Sequence, residues 1–115
     1  VPHHSLGYLE ATIFDPEKWR TTYPNPLFDR ATVRDSFWGA KLVASVTDED
    51  LRTVVHEGGW SSPAAEEALF SLLRKRRDKI ARTYFSTARI NPLEVSTEGD
   101  SVYDLAACLD PVAVC

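Results

Sequence analysis

Three helix starts are written into the middle of this chain, and they constrain its fold more than any other feature. Thr32-Val33-Arg34-Asp35 and Thr47-Asp48-Glu49-Asp50 each place a hydroxyl first and an acid three residues later. That spacing lets the side chains and the first backbone N–H groups satisfy one another reciprocally. Ser62-Pro63 adds a third start, with proline in the one helical turn where a missing N–H costs nothing. The spacing predicts helices over about Val33–Val46, Asp48–Glu57 and Pro63–Phe85. Gly58-Gly59 stops the second, because glycine takes the left-handed cap conformation cheaply. Asn91-Pro92 ends any continuation of the third.

Apolar periodicity says which faces are buried. Val33, Phe37, Ala40, Val43 and Ala44 form one stripe on the first helix, widened by Trp38 and Leu42. Leu51, Val54 and Val55 point inward from the second. Leu69, Leu72, Leu73, Arg76, Ile80 and Tyr84 share a face of the third. Trp60 reads as a plug in the connection between helices two and three. Arg76 sits on the core seam, so it is expected to pair with an acid from another helix.

The flanks are less regular. Leu6 to Phe14 is apolar without clean alternation, and reads as a short strand or an extended arm on the domain. Asp15-Pro16-Glu17-Lys18-Trp19 reads as a single helical turn with Trp19 as its anchor. Tyr23-Pro24-Asn25-Pro26 is an extended or turn segment, since a residue before proline is pushed out of the helical region. Leu27 and Phe28 supply apolar contacts. Beyond Pro92, Glu98-Gly99-Asp100 is a turn signal between apolar residues, read as a β-hairpin or a β-turn-helix. Asp104 to Leu109 reads alternatively as a short helix. The chain thus divides into an arm (1–14), a helical domain (15–92) and a hairpin or tail (93–115). The fold class is mainly α: a three-helix core, short helical turns on its N-terminal side and a small C-terminal β-hairpin.

Size and charge exclude several functions. A chain of 115 residues suits one domain with one modest core. No apolar run approaches the ~20 residues that cross a bilayer. The formal charge is −4, but the segment from Arg74 to Arg82 has six cations and one acid, so it is +5 and the remainder is −9. A chain so acidic elsewhere is a poor general nucleic-acid binder. There is no methionine, so Val1 reads as a processed or excised start. Cys108 and Cys115 either close a small loop or remain two thiols. Their spacing matches no zinc or haem attachment pattern.

Each candidate for chemistry has a plainer reading. Arg74, Arg77 and Arg82 could grip phosphate, an anionic lipid surface or an acidic partner. They equally suit the C-terminal half of a solvated helix, where cations complement the dipole. In that reading Arg74 pairs with Asp78 and Asp78 with Arg82. His3 and His4 are adjacent and rarely converge on one metal ion, so no metal site is expected. Asp48, Glu49 and Asp50 fit a helix start better than a calcium loop. Ser61, Ser62 and His56 lack the acid and oxyanion donors of a triad. Trp19, Tyr23 and Trp60 are candidates for gripping a protein partner, although aromatics in such a set mostly serve as core. No catalytic residue and no cofactor are expected.

Several segments taken together resemble a known group. Phe14-Asp15-Pro16-Glu17-Lys18-Trp19, Tyr23-Pro24-Asn25-Pro26-Leu27-Phe28 and Arg34-Asp35-Ser36-Phe37-Trp38-Gly39-Ala40-Lys41-Leu42-Val43 carry the likeness. Thr47-Asp48-Glu49-Asp50-Leu51-Arg52 and Arg76-Arg77-Asp78-Lys79-Ile80-Ala81-Arg82 extend it, so that it spans about Leu6 to Leu109. The chain resembles the C-terminal region of large, uncharacterised, exported bacterial proteins whose upstream part looks like a diverged kinase fold. The resemblance implies a helical subdomain whose companion lies in a parent chain or another polypeptide, and a periplasmic or extracellular setting. The group's presumed ATP and metal residues have no counterparts here, so no catalytic role carries over.

The function expected is therefore a non-enzymatic interaction or accessory module, docking on a larger assembly or on its parent chain. The alternative is a fragment of a kinase-like enzyme without its ATP site. A weaker one is an anion or phosphate binder on the basic helix face.

Overall fold

A computed structural model of the chain describes residues 4–85 and 95–104. Helix α1 spans Pro26–Asp29, α2 Val33–Ala44, α3 Asp48–Glu57 and α4 Pro63–Tyr84. Strands β1 (Val95–Glu98) and β2 (Ser101–Asp104) form the small hairpin, and His4–Leu6 makes one 3-10 turn. The mainly helical class with a terminal hairpin is thus as the sequence indicates. Cys108, Cys115, the Asn91-Pro92 stop and the remainder of the tail lie outside the described residues.

The caps behave as written. Asp35 N–H donates to Thr32 Oγ1 at 3.2 Å, and Thr32 N–H donates to Asp35 Oδ2 at 2.8 Å. Thr47 and Asp50 repeat the exchange at 3.1 and 3.0 Å. Ser62 Oγ accepts from Ala65 N–H at 3.1 Å, with Pro63 in the first turn. These bonds close within three residues, so they form wherever the chain enters a helix.

Helix α4 is the spine. Its C-terminal half packs on α2, where Phe37, Ala40, Ala81 and Phe85 form a buried cluster flanked by Ala44, Ile80 and Tyr84. The rings of Phe37 and Phe85 sit 5.2 Å apart at 54°, a tilted arrangement that suits the ring quadrupoles. Its N-terminal half packs on α3. There Val55, Ala65 and Phe70 are buried, and the Arg52 guanidinium lies 3.8 Å over the Phe70 ring. Arg52 also reaches Glu67 at 2.8 Å, and His56 Nδ1 reaches Glu66 at 3.0 Å. Gly59 adopts φ +63° just after α3, the left-handed step that lets the chain turn toward α4.

The hairpin pairs Val95 with Asp104 and Glu98 with Ser101 in antiparallel register. Only Gly99 and Asp100 lie between the strands, and Gly99 has φ +57°. That is the positive φ a two-residue primed turn demands, and it suits the twist of the strands.

Several sequence expectations need correction. Helix α2 ends at Ala44 and not Val46, because Ser45 caps it and turns its hydroxyl back to the Leu42 carbonyl at 2.7 Å. Helix α4 ends at Tyr84, with Phe85 as its cap. Tyr23 to Asn25 stays non-helical, with Asn25 extended, but Pro26 already opens a one-turn helix, because Asn25 Oδ1 accepts from Leu27 N–H at 3.0 Å. Val33, Val43 and Val54 are exposed; among the described residues α4 is the broad surface that α2 and α3 share, and it covers one narrow side of each.

The arm lies on the domain as an irregular segment. Lys79 Nζ donates to the carbonyls of Ala11 and Thr12 at 3.0 and 2.8 Å. Arg76 does not pair with an acid from another helix. Its Nε donates to the Glu10 carbonyl, and its guanidinium lies 4.4 Å over Phe14. The partner acid belongs to the next residue: Arg77 Nη2 meets Asp48 Oδ1 of α3 at 2.8 Å. One step along a helix is a 100° turn, so the two arginines address opposite neighbours.

Candidate functional site

Between segment 14–31 and helices α2 and α4 lies an open groove of about 640 Å³. Its floor is Gly39 and Ala40 of α2 with Ile80 and Tyr84 of α4, and its outer wall is Trp19, Leu27 and Phe28. The lining is predominantly apolar, with Asp35 and Arg76 as its charged members.

Local chemistry builds the wall. Asp15 Oδ1 accepts from Glu17 N–H at 3.0 Å, and Trp19 N–H donates to the Asp15 carbonyl at 3.0 Å. This is the single helical turn expected at Asp15–Trp19. Asp15 sits below the ordinary carboxylate range: partial burial pushes its pKa up, and the Glu17 N–H and Lys18 more than offset that. Arg20 Nη1 ties the turn off on the carbonyls of Glu17 and Trp19, each at 2.8 Å. The turn delivers the Trp19 indole edge-on to Phe28, with ring centroids 6.1 Å apart at 77°.

The floor is lowest along α2, where it is made by Gly39 and Ala40. A Cβ placed on Gly39 meets nothing within 4 Å. Beside this notch, Trp38 and Leu42 stand out from α2 four residues apart, hence on one side of the helix. Both are exposed, and Lys41 Nζ covers one face of Trp38 at 5.1 Å.

The residues that the sequence suggested for gripping a partner do not converge. Trp19 lines the groove, and Tyr23 is exposed away from its lining. Trp60 is half-buried, donates Nε1–H to the Val55 carbonyl at 2.9 Å, and packs on Gly58. It lies in the connection between α3 and α4 and closes on the C-terminal end of α3. Leu27, Phe28 and Gly39 complete the groove instead. An unexplained glycine in mid-helix was the signal that could have pointed to it.

Of the three arginines, two turn toward one carboxylate, Asp48 of α3. Arg77 is enclosed by Asp78 at 2.9 Å, Asp48 at 2.8 Å and the Val46 carbonyl at 2.8 Å. Burial works against its charge, but the two carboxylates prevail and raise its pKa. Arg74 approaches Asp48 at 3.8 Å. Asp78 is therefore taken by its neighbour Arg77, and not by Arg74 and Arg82 as the spacing suggested. Arg82 is exposed.

Among the described residues, no cluster of three His, Cys, Asp or Glu side chains could hold a metal ion. No helix there is long and apolar enough to cross a membrane. No protein-family model, curated protein or solved structure matches the chain.

Proposed function

We propose that this chain is a non-enzymatic interaction module, built to dock through the groove on a larger assembly or on the remainder of a parent chain. The observation that carries the reading is the open apolar groove whose wall presents Trp19, Leu27 and Phe28. Apolar surface left in water costs about 25 cal/mol per Å², and contiguous patches of this kind mark protein interaction sites. Aromatic anchors at the mouth of a pocket are the usual centres of binding energy. The resemblance to a C-terminal subdomain with an upstream companion points the same way.

Two other readings draw less support. The anion-binding reading needs Arg74, Arg77 and Arg82 to act together, and two of them already face Asp48. The kinase-fragment reading rests on the resemblance alone.

The test uses the chain in its native material. Cross-linking to the groove and nucleotide binding are compared for the natural chain and for Phe28→Glu, a change at an exposed position. The reading predicts that the natural chain cross-links stoichiometrically to a protein and that the variant does not, with no response to Mg-ATP in either. Saturable nucleotide binding, or cross-links indifferent to Phe28→Glu, would overturn it.

A further inference from the structure

We infer that the groove takes the Trp38–Leu42 ridge of a second copy of this chain, giving a closed two-fold dimer. The inference rests on the docking-module reading and names its partner.

The first argument is placement. Gly39 lines the groove, and Trp38 and Leu42 lie on the adjoining side of the same helix, one and three residues away. A ridge beside a notch on one surface is self-complementary. When two copies meet about a two-fold axis, the ridge of each enters the groove of the other. Both contacts form at once, and no sticky surface is left over to propagate a fibre.

The second argument is area. Trp19 (52% exposed), Leu27 (80%), Phe28 (59%), Trp38 (45%) and Leu42 (66%) offer on the order of 100 Å² each. That is roughly 500 Å² of apolar surface per copy before any polar rim is added. A standard interface buries about 800 Å² per partner. The apolar patch alone supplies a little over half of that, so with its polar rim it suits a weak, concentration-dependent dimer.

The third argument is charge. A surface that faces its own copy must not carry a single sign. The segment 15–35 that forms the groove wall and rim has four acids and four bases. It is neutral in a chain of net charge −4. Arg76 in the groove and Lys41 beside the ridge add cations, so the surface carries both signs and no single-sign repulsion opposes a second copy.

The experiment is sedimentation equilibrium of the whole chain over a range of concentrations, with helical content followed by circular dichroism. The natural chain should pass from 12.9 kDa toward twice that mass. Leu42→Glu and Phe28→Lys, both at exposed positions, should each weaken association at least tenfold while helicity is kept. An equimolar mixture of the two variants should regain it, because the introduced carboxylate of one copy then meets the introduced ammonium of the other. Gly39→Leu, at a position where an added Cβ meets open space, should weaken it as well and serves if a charged variant fails to fold. A monomer at every concentration, or a dimer that none of these changes affects, overturns the inference. If the chain stays monomeric while its groove contacts a different protein, self-pairing alone is wrong. If the groove contacts nothing, the docking reading falls with it.

Discussion

Arg77 of α4 holds Asp48, the first residue of α3, at 2.8 Å, and through it fixes where the two helices meet. The guanidinium is mostly enclosed, with 15% of its side chain exposed, and it also supports the Val46 carbonyl at the turn between α2 and α3. One side chain therefore ties α4 to α3 and to the turn that joins α2 to α3.

Arg77→Met should destabilise the fold by about 2 kcal/mol, since Asp48, Asp78 and the Val46 carbonyl share it as a donor. Arg74→Met removes a longer, half-exposed contact and should cost less than about 0.5 kcal/mol. Urea denaturation of the two variants checks the contrast. Equal losses would mean that Arg77 is not the tie.

The caps predict both a mutational and a pH effect. Thr32→Ala and Thr47→Ala should each cost about 1 kcal/mol and add in the double variant. The Thr32 backbone and side-chain hydrogen bonds hold Asp35 below the ordinary aspartate value, and Thr47 does the same for Asp50. Because the folded values are depressed, this stability is complete above the unfolded aspartate value. It is lost as pH falls through the folded one. Thermal melts from neutral pH down to about 2 should therefore show an acid-limb loss that begins below about pH 4. Asp35→Asn and Asp50→Asn together should flatten that limb.

Two glycines should respond with opposite signs. Gly39 lies inside α2 with open space at its Cβ position, so Gly39→Ala should stabilise the isolated chain by about 0.5–1 kcal/mol. Gly59 sits at φ +63°, where a Cβ is strained, and Gly59→Ala should cost about 1 kcal/mol. Melting temperatures in dilute solution, where association is absent, test both.

The arm is held mainly by Lys79 and Arg76 on backbone carbonyls of residues 10–12. Lys79→Met should loosen the arm and leave the Phe37–Phe85 core intact. Chymotrypsin cleavage after Phe14 should accelerate several-fold with little change in the global melt. Unchanged cleavage would show that the Phe14 contact holds the arm unaided.

Features closed within a few residues were legible in the sequence. Thr32–Asp35, Thr47–Asp50 and Ser62–Pro63 announced their helices because each cap is a local hydrogen-bond exchange. Gly99 marked the hairpin for the same reason. What failed depended on contacts between distant segments. Apolar periodicity put Val33, Val43 and Val54 inward, but it cannot say how wide a surface the neighbouring helix will cover. The exchange of roles between Arg76 and Arg77 turns on a single 100° step, set by where the arm and α3 land on α4. Asn25 could have announced α1, but its cap was outweighed by the two prolines around it. The groove was hidden because its wall and its floor are brought together from distant parts of the chain, Trp19 and Ile80 among them.

The most direct measurement of the docking account is oxidative footprinting of Trp19 and Phe28 in native material and in the dilute isolated chain. Occupancy of the groove predicts strong protection of both side chains in the first and full reactivity in the second, with Tyr23 reactive in both. Equal reactivity of Trp19 and Phe28 in the two samples would contradict it.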